Sequence, residues 1–134
     1  MFSKLILLLT CVNFIWTFSN KLEPDSCLNR GQSIQSFNGC FQLIMQDDGN
    51  LVIYRLSKKE AIWASATDRT CSNRACMQGD GNFVVYDCQN KATWASGTND
   101  HEGSSIYMQN DGNLVIYAWP SGRAIWASNT QTWC

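Results

Sequence analysis

Three stretches, MQDDGNLVIY (Met45–Tyr54), MQGDGNFVVY (Met77–Tyr86) and MQNDGNLVIY (Met108–Tyr117), align without gaps at offsets of 32 and then 31 residues. A second signature trails each: IWAS at Ile62–Ser65, TWAS at Thr93–Ser96 and IWAS at Ile125–Ser128, at offsets of 31 and then 32. The repeat is therefore a whole structural unit, and a period of this size marks a fold built by repetition. In each unit Asp-Gly-Asn separates two runs, and Gly accepts the positive φ that a tight turn needs. The run after it, Leu-Val-Ile-Tyr or Phe-Val-Val-Tyr, is β-branched and aromatic throughout. Short polar linkers lead to a further strand ending in Trp-Ala-Ser, and no window beyond the first twenty residues has helical spacing. The chain reads as all-β, with three similar sheets about a pseudo-threefold axis. Trp63, Trp94 and Trp126 belong at the centre, where three indoles fill the space between small sheets.

Alternate positions through the first repeat are Gln46, Asp48, Asn50, Val52 and Tyr54, which period-two geometry places on one face. The set recurs as Gln78, Asp80, Asn82, Val84, Tyr86 and as Gln109, Asp111, Asn113, Val115, Tyr117. The intervening Leu51, Ile53, Leu114 and Ile116 face the core. Turn formation accounts for Asp and Asn but requires neither Gln nor Tyr. An ionised Asp only accepts hydrogen bonds, an Asn or Gln amide also donates, and a Tyr hydroxyl does either. A sugar hydroxyl donates and accepts at once, so paired Asp and Asn groups suit it, with Val offering an apolar patch to the C–H face of a pyranose.

Outward from the repeats, the chain has 134 residues, the length of one domain, and 16% of them are charged, for a net charge of -1. That balance excludes a nucleic-acid binder held by basic patches. Residues 1–19 read as a secretory signal peptide. Lys4 precedes a 14-residue apolar run from Leu5 to Phe18, interrupted only by Thr10, Asn13 and Thr17, and Thr17 and Ser19 suit a cut after Ser19. The run is short for a bilayer, which needs ~20 residues. The expectation is a secreted, extracellular chain with no membrane insertion once the signal is removed. Loss of Lys4 leaves nine basic and eleven acidic residues, a net charge of -2, and loss of Cys11 leaves six cysteines. Cys27, Cys40, Cys71, Cys76, Cys88 and Cys134 then read as three disulfides, among the 15 connectivities that six cysteines allow.

The motif Gln-x-Asp-x-Asn-x-Val-x-Tyr, present three times and followed by Trp-Ala-Ser, resembles that of the bulb-type (monocot mannose-binding) lectins. The resemblance covers roughly Cys27 to Cys134 and makes residues 20–134 one lectin domain with three repeats. It implies a β-prism II fold: three four-stranded antiparallel sheets, with one mannose site on each. It implies that Asp48, Asp80 and Asp111, with Asn50, Asn82 and Asn113, contact the axial O2 of mannose. Gln46, Gln78 and Gln109 take O3, Tyr54, Tyr86 and Tyr117 take O4, and the three valines meet ring carbons. The partners implied are mannose-containing glycans and glycoproteins, bound without a cofactor or metal at three near-equivalent sites. Many plant members carry a turn Cys where this chain has Gly49, Gly81 or Gly112, so the six cysteines follow another plan. One solution pairs Cys27 with Cys40, Cys76 with Cys88 and Cys71 with Cys134. Plant members often exchange a C-terminal strand, which leaves a homodimer open.

Other readings find less support. With one histidine and no Gly-rich phosphate loop, no nucleophilic, metal or phosphoryl-transfer constellation can be assembled, so no catalytic residues are assigned. His101 reads as a solvated loop residue. Asp47-Asp48-Gly49-Asn50 lacks the spacing of an EF-hand loop. The Gln-x-Trp mark of ricin-type trefoils occurs only at Gln131–Trp133, outside the repeat pattern. The alternative function is a secreted protein-interaction or growth-inhibitory module on the same fold, in which sugar binding is secondary.

Overall fold

The computed structural model describes residues 19–134; the signal peptide read over residues 1–19 lies, apart from Ser19, outside the described residues. Twelve strands follow in order: β1 (Lys21–Leu22), β2 (Ser26–Asn29), β3 (Ser33–Gln35), β4 (Phe41–Met45), β5 (Leu51–Arg55), β6 (Glu60–Ala64), β7 (Ser72–Met77), β8 (Phe83–Asp87), β9 (Ala92–Ala95), β10 (Ser105–Met108), β11 (Leu114–Tyr117) and β12 (Ala124–Ala127). Each repeat contributes three consecutive strands to one sheet. The fourth strand comes from the segment ahead of the repeats, which deals one short strand to each sheet in reverse order. The sheets are β3-β4-β5-β6, β2-β7-β8-β9 and β1-β10-β11-β12, and every pairing is antiparallel. This is the all-β, three-sheet β-prism II architecture.

Inward positions alternate as the sequence predicts. Leu51, Ile53, Phe83, Val85, Leu114 and Ile116 are fully buried, and so are Phe41, Leu43, Met45, Met77 and Met108 on the preceding strands. A β-bulge recurs in the last strand pair of every sheet, between Ile53 and Tyr54, Val85 and Tyr86, and Ile116 and Tyr117. The extra residue lets neighbours such as Ile62 and Trp63 both pack on the core. Trp63, Trp94 and Trp126 meet edge to face around the axis, with ring centroids 5.4, 6.0 and 5.7 Å apart. Quadrupoles favour that arrangement over parallel stacking.

The six cysteines all pair, but as Cys27–Cys76, Cys40–Cys134 and Cys71–Cys88. The pairing expected from spacing is corrected at every bridge. Cys27 does not pair with Cys40, because β2 joins one sheet while Cys40 leads into β4 of another. Cys27 instead lies directly across from Cys76 in the β2–β7 ladder. Cys71 and Cys88 close the open end of the β7–β8 hairpin, where Cys88 N–H donates to the Cys71 carbonyl at 2.9 Å. That leaves Cys40, at the start of β4, to hold Cys134.

Candidate functional site

Each polar set is built on a hairpin closed by its own Gln and Asn. Gln46 N–H donates to the Asn50 carbonyl at 2.9 Å and Gly49 N–H to the Gln46 carbonyl at 3.1 Å, with the same pair of bonds in the other two repeats. The turn glycines Gly49, Gly81 and Gly112 have φ near 90° (88°, 91° and 87°), which is cheap only for glycine. Neighbouring chain also leaves no room there: a Cβ on Gly81 would stand 2.3 Å from the His101 carbonyl oxygen.

The Asp side chains face solvent, and one oxygen of each caps the turn. Asp48 Oδ1 accepts from Asn50 N–H at 2.9 Å, as Asp80 does from Asn82 and Asp111 from Asn113, also at 2.9 Å. The second oxygen, Oδ2, has no protein donor among the described residues. The asparagines are held the opposite way round. Asn82 Oδ1 accepts from Ser96 Oγ (3.1 Å), Gly97 N–H (3.0 Å) and Thr98 N–H (3.2 Å). Asn113 Oδ1 accepts from Ser128 Oγ (3.2 Å), Asn129 N–H (2.9 Å) and Thr130 N–H (3.4 Å). Asn50 Oδ1 accepts from Ser65 Oγ (3.3 Å) and Thr67 N–H (3.2 Å). Backbone N–H groups can only donate, so these contacts fix which amide atom is oxygen and turn Nδ2 outward as a donor. Gln46 Nε2 donates to the Tyr54 hydroxyl at 2.6 Å, and Gln78–Tyr86 and Gln109–Tyr117 repeat the bond. Each Tyr hydroxyl keeps its own proton to give, and each Gln keeps Oε1 to accept.

Every repeat therefore offers Asp Oδ2 as an acceptor beside Asn Nδ2 as a donor, and Gln Oε1 as an acceptor beside the Tyr hydroxyl. In the third repeat Gln109, Asp111 and Tyr117 line one cleft of about 450 Å³. The valines differ from expectation. Val52, Val84 and Val115 are only 2–3% exposed, so each presents a small apolar contact rather than an open patch. His101 also departs from the solvated loop residue expected: it is partly buried, with Nδ1 3.2 Å from the carbonyls of Thr98 and Asn99.

One layer of the site went unread in the sequence. Thr67, Thr98 and Thr130 each donate a hydroxyl to the turn glycine's carbonyl at 2.6 Å, and their N–H groups help orient the Asn. The signal was present: Trp-Ala-Ser extends to Trp-Ala-Ser-x-Thr in all three repeats. The surroundings of the sites also differ. The cross-strand partner of the site tyrosine is Gln42 in the first sheet, Arg74 in the second and Ser105 in the third. The Arg74 guanidinium lies over the Tyr86 ring at 4.7 Å. Near the third site, a hydrogen bond from Lys21 holds the Glu23 carboxyl below its ordinary range, with a second from Ser105.

Three small sheets closed around a tryptophan triangle, each bearing the same polar hairpin, define a β-prism II lectin-type domain. No protein-family model matches the chain. It is 40% identical over 73 residues to the B-type lectin plumieribetin of Scorpaena plumieri, covering 54% of this chain and 62% of that one. The matches to mannose-specific lectins from Dendrobium findlayanum, Narcissus tazetta and Galanthus nivalis span about half of those relatives' lengths, 49–58%. Among solved structures, a monomeric monocot mannose-binding lectin from Gastrodia elata superposes with a TM-score of 0.77 at 41% identity. It covers 85% of this chain and 100% of that one. The Galanthus nivalis mannose-specific agglutinin, solved with methyl-α-D-mannoside, superposes at 0.67 with 39% identity, covering 86% and 100%. The chain belongs to the bulb-type, or monocot mannose-binding, lectin family.

Proposed function

We propose that this chain is a secreted lectin that binds mannose and high-mannose glycans through its three hairpin sites, in defence or cell-surface recognition. The observation that carries the reading is the unfilled valence repeated on each sheet. Asp Oδ2 and Asn Nδ2 form an acceptor–donor pair suited to a single hydroxyl that both gives and takes a proton. Family resemblance makes that hydroxyl the axial O2 of mannose, which discriminates against glucose with its equatorial O2. The O3 hydroxyl donates to Gln Oε1, and the Tyr hydroxyl donates to O4. No step requires a metal, and the partners are mannose-containing glycans and glycoproteins.

Each site is shallow and competes with water for every bond, so monosaccharide affinity is expected near ~1 mM, or about -4 kcal/mol. Secretion is supported by the apolar leader and by three disulfides, which persist in oxidising compartments. A homodimer made by strand exchange would have to break the β11–β12 pairing and redirect the Cys134 tail that Cys40 holds. The covalent tie favours a self-contained chain. The test is calorimetric titration with methyl α-mannoside, expected to give three sites per chain near millimolar affinity. One site per chain, or equal binding of methyl α-galactoside, would contradict the assignment.

A further inference from the structure

The three polar sets are alike, but their flanks are not. Among the described residues three large apolar side chains stand exposed: Phe37 at 76%, Trp119 at 72% and Trp133 at 91%. All three border the third site. Phe37 lines the 450 Å³ cleft with Gln109, Asp111 and Tyr117. Trp133 lines an adjoining cleft of about 610 Å³ that shares Asp111. Trp119 lines a third, about 170 Å³, that shares Tyr107 and Tyr117 with the first. The three clefts thus share lining residues, Asp111 between the first two and Tyr117 between the first and third. Either of the two larger ones is in the ~300–1,000 Å³ range of small-molecule sites.

The backbone that carries the platforms is held in place. Asn38, next to Phe37, donates its N–H to Asn110 Oδ1 and its Nδ2 to the Asn110 carbonyl, both at 2.9 Å. Asn110 is the residue before Asp111 in the site's own turn. On the other side, Thr132 N–H donates to the Asp111 carbonyl at 2.9 Å, and Arg55 donates to the Trp133 carbonyl at 3.2 Å. The Cys40–Cys134 disulfide ties the segment after Phe37 to the residue after Trp133. Fixing such groups before binding removes part of the ordering cost. The loops that reach the other two sites bring no exposed Phe or Trp; the ring that reaches the second, His101, is partly buried, with its backbone N–H on the Asp80 carbonyl at 3.1 Å. At the second, Asp25 Oδ1 accepts from Gly79 N–H at 3.0 Å; at the first, Gly31 N–H donates to the Met45 carbonyl at 2.7 Å.

We propose that the third site is the centre of an extended groove that binds a mannose oligosaccharide over several units, with Phe37 and Trp133 as stacking platforms flanking the Asp111 subsite. This deepens the mannose reading and rests on it. The occupant follows from the chemistry of the groove. Aromatic faces alternate with the polar groups of Gln109, Asn110, Asp111 and Gln131, as C–H faces alternate with hydroxyl edges along an oligosaccharide. A lipid surface would instead call for a contiguous apolar patch, and polar residues interrupt this one.

The test isolates single sites in the full chain. Asp→Asn at a site keeps the oxygen that caps the turn but replaces the free acceptor with a donor. D48N/D80N retains only the third site, and D48N/D111N retains only the second. The ratio of α-mannotriose affinity to methyl α-mannoside affinity is then measured for each by calorimetry. The third-site chain is expected to prefer the trisaccharide by ~10-fold or more, the gain from covering one or two aromatic faces. The second-site chain should show only the statistical advantage of several mannose units. Adding F37A/W133A to the third-site chain should bring its trisaccharide-to-monosaccharide ratio down to that of the second. Both side chains are exposed, so the fold persists, and the near-ultraviolet dichroism of the tryptophan triangle checks it. Equal ratios in the two single-site chains overturn the groove. Failure of the unmodified chain to bind methyl mannoside is a separate result, and it overturns the mannose reading beneath it.

Discussion

Thr98 donates its hydroxyl to the carbonyl of Gly81 at 2.6 Å, and Thr67 and Thr130 make the same bond to Gly49 and Gly112. The threonines touch the turn from behind, on the side away from solvent. They hold the glycine carbonyl and, through N–H, the Asn amide, so the outward donor of each site is set by a residue on the neighbouring connection.

Thr98→Val keeps the shape of the side chain and removes the hydroxyl, leaving the buried Gly81 carbonyl short of a partner. A loss of about 1–3 kcal/mol is expected by chemical denaturation. Methyl mannoside stoichiometry should fall from three sites toward two, because the lost hydroxyl also bonds Ser96 Oγ at 2.8 Å, and Ser96 Oγ donates to the Asn82 amide oxygen. A full complement of three sites with unchanged stability would place Thr98 outside the binding machinery.

The disulfides should contribute unequally. Cys40–Cys134 closes a loop of 94 residues and Cys71–Cys88 one of 17. In the chain-entropy account the long loop stabilises by about 4–5 kcal/mol and the short one by about 3. Paired serine variants, C40S/C134S and C71S/C88S, measured in urea, should rank in that order. The reverse order would show that the C-terminal tail gains little from its tether.

Avidity should depend on all three sheets together. The sites face different directions about the axis, so one chain bridges branches or neighbouring glycans, and such linkage exceeds single-site affinity by ~10²–10⁴. Agglutination of mannan-coated beads is expected, inhibited by methyl mannoside, insensitive to galactose and unchanged by chelators. D48N/D80N/D111N should abolish it while the fold persists, since each turn keeps its capping oxygen. Sugar-inhibitable agglutination by the triple variant would refute the site assignment.

Expression in a secreting cell should yield a chain that begins near Asn20 and has no free thiol. Intact-mass spectrometry checks both at once: the mass should lack the first nineteen residues and remain unchanged after alkylation without reduction. A retained Met1 would refute processing at Ser19.

The sequence by itself determined the strands of the repeats, their turns and the three polar sets. Each of these is a local property: alternation of period two decides which residues face inward, and Gly at a turn decides where the chain reverses. It also placed Trp63, Trp94 and Trp126 together, because three identical units closing on themselves have one axis to share. What only the tertiary structure decided involves partners distant along the chain. β1, β2 and β3 are two to four residues long and carry too little pattern to declare a partner; each fills whichever three-stranded sheet leaves an open edge beside it. That placement sets Cys27 against Cys76 and leaves Cys40 to Cys134, so disulfide pairing could not precede topology. The same placement brings the Phe37 loop and the Trp133 tail to the third hairpin alone. Three sites nearly identical in sequence thereby come to stand in different surroundings.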